Sequence, residues 1–380
     1  MKNSISSINI SEERRLIVFM IVLGILLLTL IMNAYWMEPL YKEGINMIHS
    51  AQTYLNWNIL HIANNLFSML CHPSTVGLVL VLELCLVKHK FKALIHIIFF
   101  LFCIYLIAFL KQAYQQSRPI WSSKVIHKWE WFCPKDFGNP SGHSFALFPL
   151  YEPLITKYIG GFKNFKTGWI LLIIFGFLVP FSRTYLGVHS VNQIMFGLTL
   201  GMVATVMYRY AIREWLYVAL SRIYKQKKIR HIVIVLIMHV ICFILPFLFF
   251  EIYSENRPME KDDVQNLNEF CLTELSSYLI QESMLVKCTF ESFIFGVVYG
   301  LFCLRYTNKD LLYLSGRWQY ATWSSIFGHF AAIALICGSL GGLFMVFLPR
   351  VLLVTFLYYL SHTAGMVLIG FSIVFFLPKI

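Results

Sequence analysis

Charge is scarce in this chain. Asp, Glu, Lys and Arg together make up 13% of its 380 residues, about half the share of an ordinary soluble domain. Hydrophobic residues reach 58% and the mean hydropathy is +0.68, which excludes a soluble globule. Repeats, low-complexity tracts and Gly/Ser linkers are absent, so the chain is not a repeat array or a string of tethered domains. No small-residue cleavage site follows the first apolar stretch, which is too long for a secretory h-region and reads as a retained anchor. Metal-ligating patterns are missing too. No Asp/Glu cluster and no Cys/His spacing accompanies the polar residues described below, so neither a metal nor a cofactor is expected.

What the chain has in excess is apolar runs. A bilayer core about 30 Å thick takes a helix of about 20 residues. By that measure spans are expected near 16–36, 60–87, 93–111, 143–159, 168–186, 191–210, 231–252, 284–304, 320–345 and 350–377. The expected fold class is all-α, a polytopic transmembrane helical bundle of about ten spans. The stretch 60–87 is interrupted by "HPSTVG" and reads as a helix with a break. The segment 38–58 reads as amphipathic and interfacial.

The formal net charge of +12 does not point to nucleic acid, because Lys and Arg concentrate in loops on alternate sides of the spans. Lys2, Arg14, Arg15, the loops at 88–92, 157–166 and 305–317, and the run from Arg209 to Arg230 hold most of them. The positive-inside rule puts these loops and both termini in the cytoplasm. Cys133 and Cys271 then fall on the other side, where a disulfide between them is permitted but spacing does not establish it. The run 209–230 divides the chain into a working core, 1–208, with its motifs in 111–193, and a four-span C-terminal transmembrane extension, 209–380, of unassigned role.

Three polar groups stand out in the core. Lys111 closes the third span and Arg118 precedes Pro119; a helix continued to Arg118 would put both on one face. Pro140-Ser141-Gly142-His143 opens the fourth span with an N-cap serine, and the free amides of such a terminus attract phosphate. Ser182-Arg183 ends the fifth span and leads to His189, and an Arg at that depth reads as functional. By the topology all of them fall at the non-cytoplasmic face. Three cations with helix-terminal amides suit a phosphate dianion. Two histidines suit phosphoryl transfer, one attacking as neutral imidazole and the other donating a proton, which implies a bell-shaped pH profile.

Lys111-x6-Arg118-Pro119, Pro140-Ser141-Gly142-His143 and Ser182-Arg183-x5-His189 resemble the three-part signature of the type 2 phosphatidic acid phosphatase (PAP2) superfamily. That superfamily includes lipid phosphate phosphatases, sphingosine-phosphate phosphatases, glucose-6-phosphatases and vanadium haloperoxidases. The resemblance implies a six-helix core and a phosphoric monoester hydrolase. It implies His189 as the nucleophile that forms a phosphohistidine and His143 as the acid, with Lys111, Arg118, Arg183, Ser141 and the Gly142 amide on the phosphate. Where the family pattern continues to an Asp that orients the nucleophile, this chain has Gln193, a weaker stabiliser of imidazolium. Gln at this place is like the glucose-6-phosphatase branch, and the extension is more like the glucose-6-phosphatase and sphingosine-phosphate phosphatase branches than six-span lipid phosphatases; the extra N-terminal span and the absence of a terminal dilysine are unlike glucose-6-phosphatases. A lipid phosphate, phosphatidate or a sphingoid-base phosphate, is the favoured substrate, since Trp121, Trp129 and Trp131 would form an aromatic belt beside the site. A sugar phosphate is the close alternative, followed by a lipid phosphotransferase and a non-catalytic protein on the same fold. The expected partners are that substrate and membrane lipids, without nucleic acid, in the endoplasmic reticulum or another endomembrane rather than the plasma membrane. Oligomeric state is not indicated.

Overall fold

The computed structural model describes residues 12–86, 90–127, 133–158, 165–226, 229–256, 259–271, 274, 276–306 and 352–375. Helix α1 runs unbroken from Glu12 to Tyr54, about 64 Å at 1.5 Å per residue. It is therefore much longer than a bilayer is thick. Up to Tyr54, the stretch 38–58 is the far end of α1, and its inward face packs on protein. Ile48 is fully buried, and Gln52 donates to the carbonyls of Tyr185 at 2.8 Å and His127 at 3.0 Å. Helices α2 (Asn58–Met69) and α3 (Pro73–Leu86) follow, bent 45° apart, which is the expected break. Next come α4 (Lys90–Tyr114), the short α5 (Pro119–Ser122), α6 (Gly142–Tyr158), α7 (Phe165–Tyr185) and α8 (Val191–Met207). A π-helical turn, Tyr208–Ile212, leads to α9 (Arg213–Gln226), α10 (Ile229–Asn256), α11 (Lys261–Cys271), α12 (Ser277–Lys287) and α13 (Phe290–Tyr306). The last described helix is α14 (Leu352–Phe375).

The fold is an all-α membrane bundle. Among the described residues six helices are long and apolar enough to cross a membrane, or seven if the bent pair is one span. The count of ten is not reproduced. The expected span 143–159 is α6, only 17 residues long with Pro149 and Pro153 inside it, and the span expected at 320–345 lies outside the described residues. Helices α1 and α10 expose apolar side chains such as Met20, Leu28, Ile234, Ile237 and Ile241, as helices facing lipid do. The main core lies between α4, α6, α8 and α13. Leu94, Phe100, Leu147, Leu150 and Leu301 are fully buried there, and Phe99 stacks on Tyr208 at 4.5 Å.

Two polar clusters inside the bundle are matched. Pro153 has no N–H to offer the Pro149 carbonyl; His96 Nε2 lies 2.8 Å from that oxygen, and its Nδ1 lies 2.6 Å from Glu83. Arg209 pairs with Glu152 at 2.8 Å.

Two contacts position the motif segments. A Cβ added at Gly197 would stand 2.5 Å from the Ser141 carbonyl oxygen, and one at Gly201 would stand 2.5 Å from that of Phe145. So α8 lies backbone-to-backbone on α6, the close approach that small residues permit between membrane helices. The variant Gly197→Ala must push the Ser141–His143 turn away from α8. We expect it to lower activity at least ten-fold and stability by about 1–3 kcal/mol. Gly77→Ala, with nothing within 4 Å of the new Cβ, should change neither; paired thermal-shift and turnover assays check both.

A second, smaller core lies beside the motif loops. Ile120, Trp121, Phe137, Leu186 and Val188 meet Leu267 of α11 and Ile280 and Met284 of α12 there, all of them buried. Asp263 accepts from Ser117, and Asn266 donates to the Trp121 carbonyl at 2.6 Å. The disulfide Cys133–Cys271, with Cα atoms 5.4 Å apart, joins the loop before the Pro140 turn to the end of α11.

Candidate active site

The first motif is not laid along one helix face. Helix α4 ends at Tyr114, Gln115 takes a φ of +48° and Arg118 is extended ahead of Pro119, the backbone that a following proline favours. Lys111 and Arg118 are brought together by a turn and by an acid that the sequence reading passed over, Asp136. Lys111 Nζ lies 3.1 Å from Asp136 Oδ2 and also donates to the Phe137 carbonyl. Arg118 donates from Nη2 to Asp136 Oδ1 and from Nε to the Asp136 carbonyl, both at 2.6 Å. A third cation, Lys287 at the end of α12, stands 3.1 Å from Oδ2. Burial alone would push the Asp136 carboxyl up, but Lys111, Lys287 and Arg118 outweigh it and hold it well below the usual carboxylate range.

His189 sits in the turn between α7 and α8. Its amide and that of Val188 point back to the Arg183 carbonyl at 3.3 and 3.2 Å. Gly187, at φ +74°, makes the turn; a Cβ there would meet Ile126 at 2.5 Å and Ile120 at 2.8 Å. The His189 tautomer follows from its neighbours. Arg118 Nη1 lies 3.0 Å from His189 Nε2, and a guanidinium has no lone pair to accept with. Nε2 is therefore the bare acceptor nitrogen, and the ring proton is on Nδ1, which faces Gln193 Oε1 at 3.2 Å. The amide of Gln193 is held the right way round for this. Its Nε2 donates to the Ser117 carbonyl at 2.9 Å and to Gln116 Oε1 at 3.2 Å, while Oε1 also accepts the Ser190 N–H at 3.3 Å. Gly138 leaves room for that amide, since a Cβ there would lie 2.5 Å from it. Burial first, and then Arg118, Lys111 and Arg183, push the His189 imidazole well below its ordinary value, so the ring is neutral near pH 7.

Ser141 and Gly142 stand at the start of α6. Ser141 is fully buried, donates its amide to the Gln193 carbonyl at 3.0 Å, and receives Ser144 N–H at 3.4 Å and Ser144 Oγ at 3.0 Å. The nearest atom to a Cβ built on Gly142 is Lys111 Cε at 4.0 Å, so the α6 N-terminus opens beside that lysine. His143 Nε2 is buried and meets no hydrogen-bond partner among the described residues. Arg183, Arg118, Asp136 and Lys111 all lie close enough to act on it electrostatically. Arg183, buried at the end of α7, donates from Nη1 to Ser68 on α2.

Lys111, Arg118, Ser141, Gly142, His143, Arg183, His189 and Gln193 thus form one buried cluster at the helix ends. Asp136, Gln116, Ser68 and Lys287 belong to it as well. Lys287 lies near the edge of the span expected at 284–304, between Glu282 and Glu291, where a cation ordinarily snorkels, so no contiguous pattern marked it. Trp121 does not line an aromatic belt: it is fully buried in the smaller core, with the Arg118 guanidinium 6.0 Å from its ring centroid. Trp129 and Trp131 lie outside the described residues.

Residues 92–217 match the family model described as "PAP2 superfamily", a stretch that holds every residue of the cluster except Ser68 and Lys287. That stretch is what the chain shares with the PAP2 superfamily. A curated relative, phosphatidylglycerophosphatase B of Bacillus subtilis (strain 168), is 30% identical over 97 residues, 24% of this chain and 44% of that protein. The chain thus spans less than half the length of the curated relative it matches. No solved structure matches it.

Proposed function

We propose that the chain is a metal-independent integral-membrane phosphatase. It hydrolyses a lipid phosphomonoester, phosphatidate or a sphingoid-base phosphate, through a phosphohistidine on His189 at the non-cytoplasmic face. The observation that carries this reading is the state of the two imidazoles. His189 is neutral with its Nε2 lone pair turned toward Arg118, and His143 presents a buried, unpartnered Nε2 to the same group of cations.

The substrate phosphate takes hydrogen bonds from Lys111, Arg118 and Arg183 and from the Gly142 amide and Ser141 at the start of α6. The Arg118 N–H that faces His189 Nε2 turns to a phosphoryl oxygen, which frees the lone pair. Nε2 then attacks phosphorus as the P–O ester bond breaks, and His143, which takes up a proton together with the bound phosphate anion that offsets the surrounding cations, gives that proton to the leaving alkoxide. In the second step neutral His143 takes a proton from water, the hydroxide attacks phosphorus, and the P–N bond breaks to release inorganic phosphate. Gln193 Oε1 holds the Nδ1 proton throughout. Fixed cations do the work that a metal ion does in many phosphoryl transfers.

A lipid substrate is supported by the name of the relative and by a site set in the bundle itself. The disulfide Cys133–Cys271 supports an oxidising, non-cytoplasmic location for the loops at the site. Residues 1–208 supply both histidines and Lys111, Arg118 and Arg183, and the extension adds Lys287 beside Asp136. The test is parallel turnover of phosphatidate, sphingosine phosphate and glucose 6-phosphate by purified protein in excess EDTA. Full activity in EDTA is expected, with kcat/KM at least ten-fold higher for the lipids. Loss of activity in EDTA would contradict the mechanism, and preference for glucose 6-phosphate would reverse the substrate assignment.

A further inference from the structure

Lys287 lies far from the motifs in sequence, yet it meets them in space. Its Nζ and that of Lys111 stand at the same distance, 3.1 Å, from one oxygen, Asp136 Oδ2, while Arg118 holds the other at 2.6 Å. One carboxylate facing three basic side chains leaves a surplus of positive charge, the complement of a phosphomonoester anion. The three cations are not equally placed. The side chains of Lys111 and Arg118 are 5% and 4% exposed, whereas that of Lys287 is 43% exposed. Lys287 therefore forms the open side of the cluster, the side an arriving anion meets first.

Its placement is fixed by packing. Met284, one turn earlier on α12, is buried in the smaller core with Phe137 and Val188, the neighbours of Asp136 and His189. Cys288, just after it, is also fully buried. Helix α11, which ends in the disulfide to Cys133, shares that core through Leu267.

We propose that Lys287 is a substrate-binding residue that takes the phosphate dianion at the mouth of the site, so that the C-terminal extension completes the anion pocket. This rests on the function proposed above. In its phosphate-bound arrangement Lys287 Nζ exchanges the Asp136 carboxylate for a phosphoryl oxygen. The rival role is purely structural, with Lys287 doing no more than pinning Asp136.

The probe is orthovanadate, a phosphate analogue, with its Kd read by thermal shift of the full-length chain so that binding is measured whether or not turnover occurs. Lys287→Met keeps the aliphatic stem and removes the charge; Lys287→Arg keeps the charge. Lys287→Met should weaken vanadate binding roughly ten-fold, a charge-assisted contact discounted for partial exposure, and Lys287→Arg should restore it to within about three-fold of wild type. Adding Lys287→Met to Asp136→Asn separates the two roles. A continued loss of roughly ten-fold in the Asp136→Asn background supports direct binding. An unchanged Kd for Lys287→Met, or a loss that vanishes in the Asp136→Asn background, overturns the proposal. Failure of wild-type protein to hydrolyse any phosphomonoester would instead count against the function, whatever the vanadate series gives.

Discussion

His189→Ala should lower kcat for the preferred phosphomonoester by about five orders of magnitude, since removing a covalent nucleophile removes the whole pathway rather than one stabilising contact. The residual rate is expected to be insensitive to a further His143→Ala change, because an acid without its nucleophile has no leaving group to serve. The substitution also leaves Gln193 Oε1 and Arg118 Nη1 facing a cavity in a fully packed turn. A fall in thermal stability of about 2 kcal/mol is expected beside the kinetic loss. His189→Gln, closer in volume, should recover much of the stability and none of the rate. Comparing both variants for melting temperature and turnover separates chemistry from folding. A His189→Ala enzyme within ten-fold of wild type would sink the mechanism.

Arg118→Lys should cost about three orders of magnitude in kcat/KM although the charge is kept. Arg118 reaches Asp136 Oδ1, the Asp136 carbonyl, the Val188 carbonyl and His189 Nε2 at once. A planar fork with five donors can do this; an ammonium with three donors on a flexible stem cannot. The loss combines a misplaced Asp136 with a His189 ring whose Nε2 no longer has a fixed donor. Lys111→Arg, by contrast, adds volume at a residue that is 4% exposed and should fail through packing. The two variants are therefore expected to differ in melting temperature, with Arg118→Lys the more stable. A loss of less than about ten-fold for Arg118→Lys would mean that charge alone suffices at this position.

The parts legible in the sequence were those carried by short contiguous patterns. Apolar runs identify membrane helices because the bilayer fixes their length, and "HPSTVG" marked the bend between α2 and α3. The motif residues were legible for a related reason: polar groups at the ends of apolar runs are costly unless they meet, and in the structure they do. What could not be read was pairing across distance. Asp136 is a single acid in an irregular loop, and only the fold shows three cations around it. Lys287 was hidden at the edge of an apolar run, and Trp121 passed for an interfacial residue until the smaller core enclosed it. Gln193 looked like a weakened substitute for an acid. Its neighbours Ser117 and Gln116 fix the direction of its amide and so give it an unambiguous acceptor for the imidazole.

The covalent step can be read directly. Protein incubated briefly with phosphatidate carrying a radiolabelled phosphate, then quenched in alkali where phosphohistidine survives, should retain label on the peptide that contains His189. Label should be absent from His189→Ala and should accumulate in a variant slowed in the water step, such as His143→Ala with a substrate whose leaving group needs no proton. Steady turnover by the wild-type enzyme with no label on that peptide at any quench time would contradict the account.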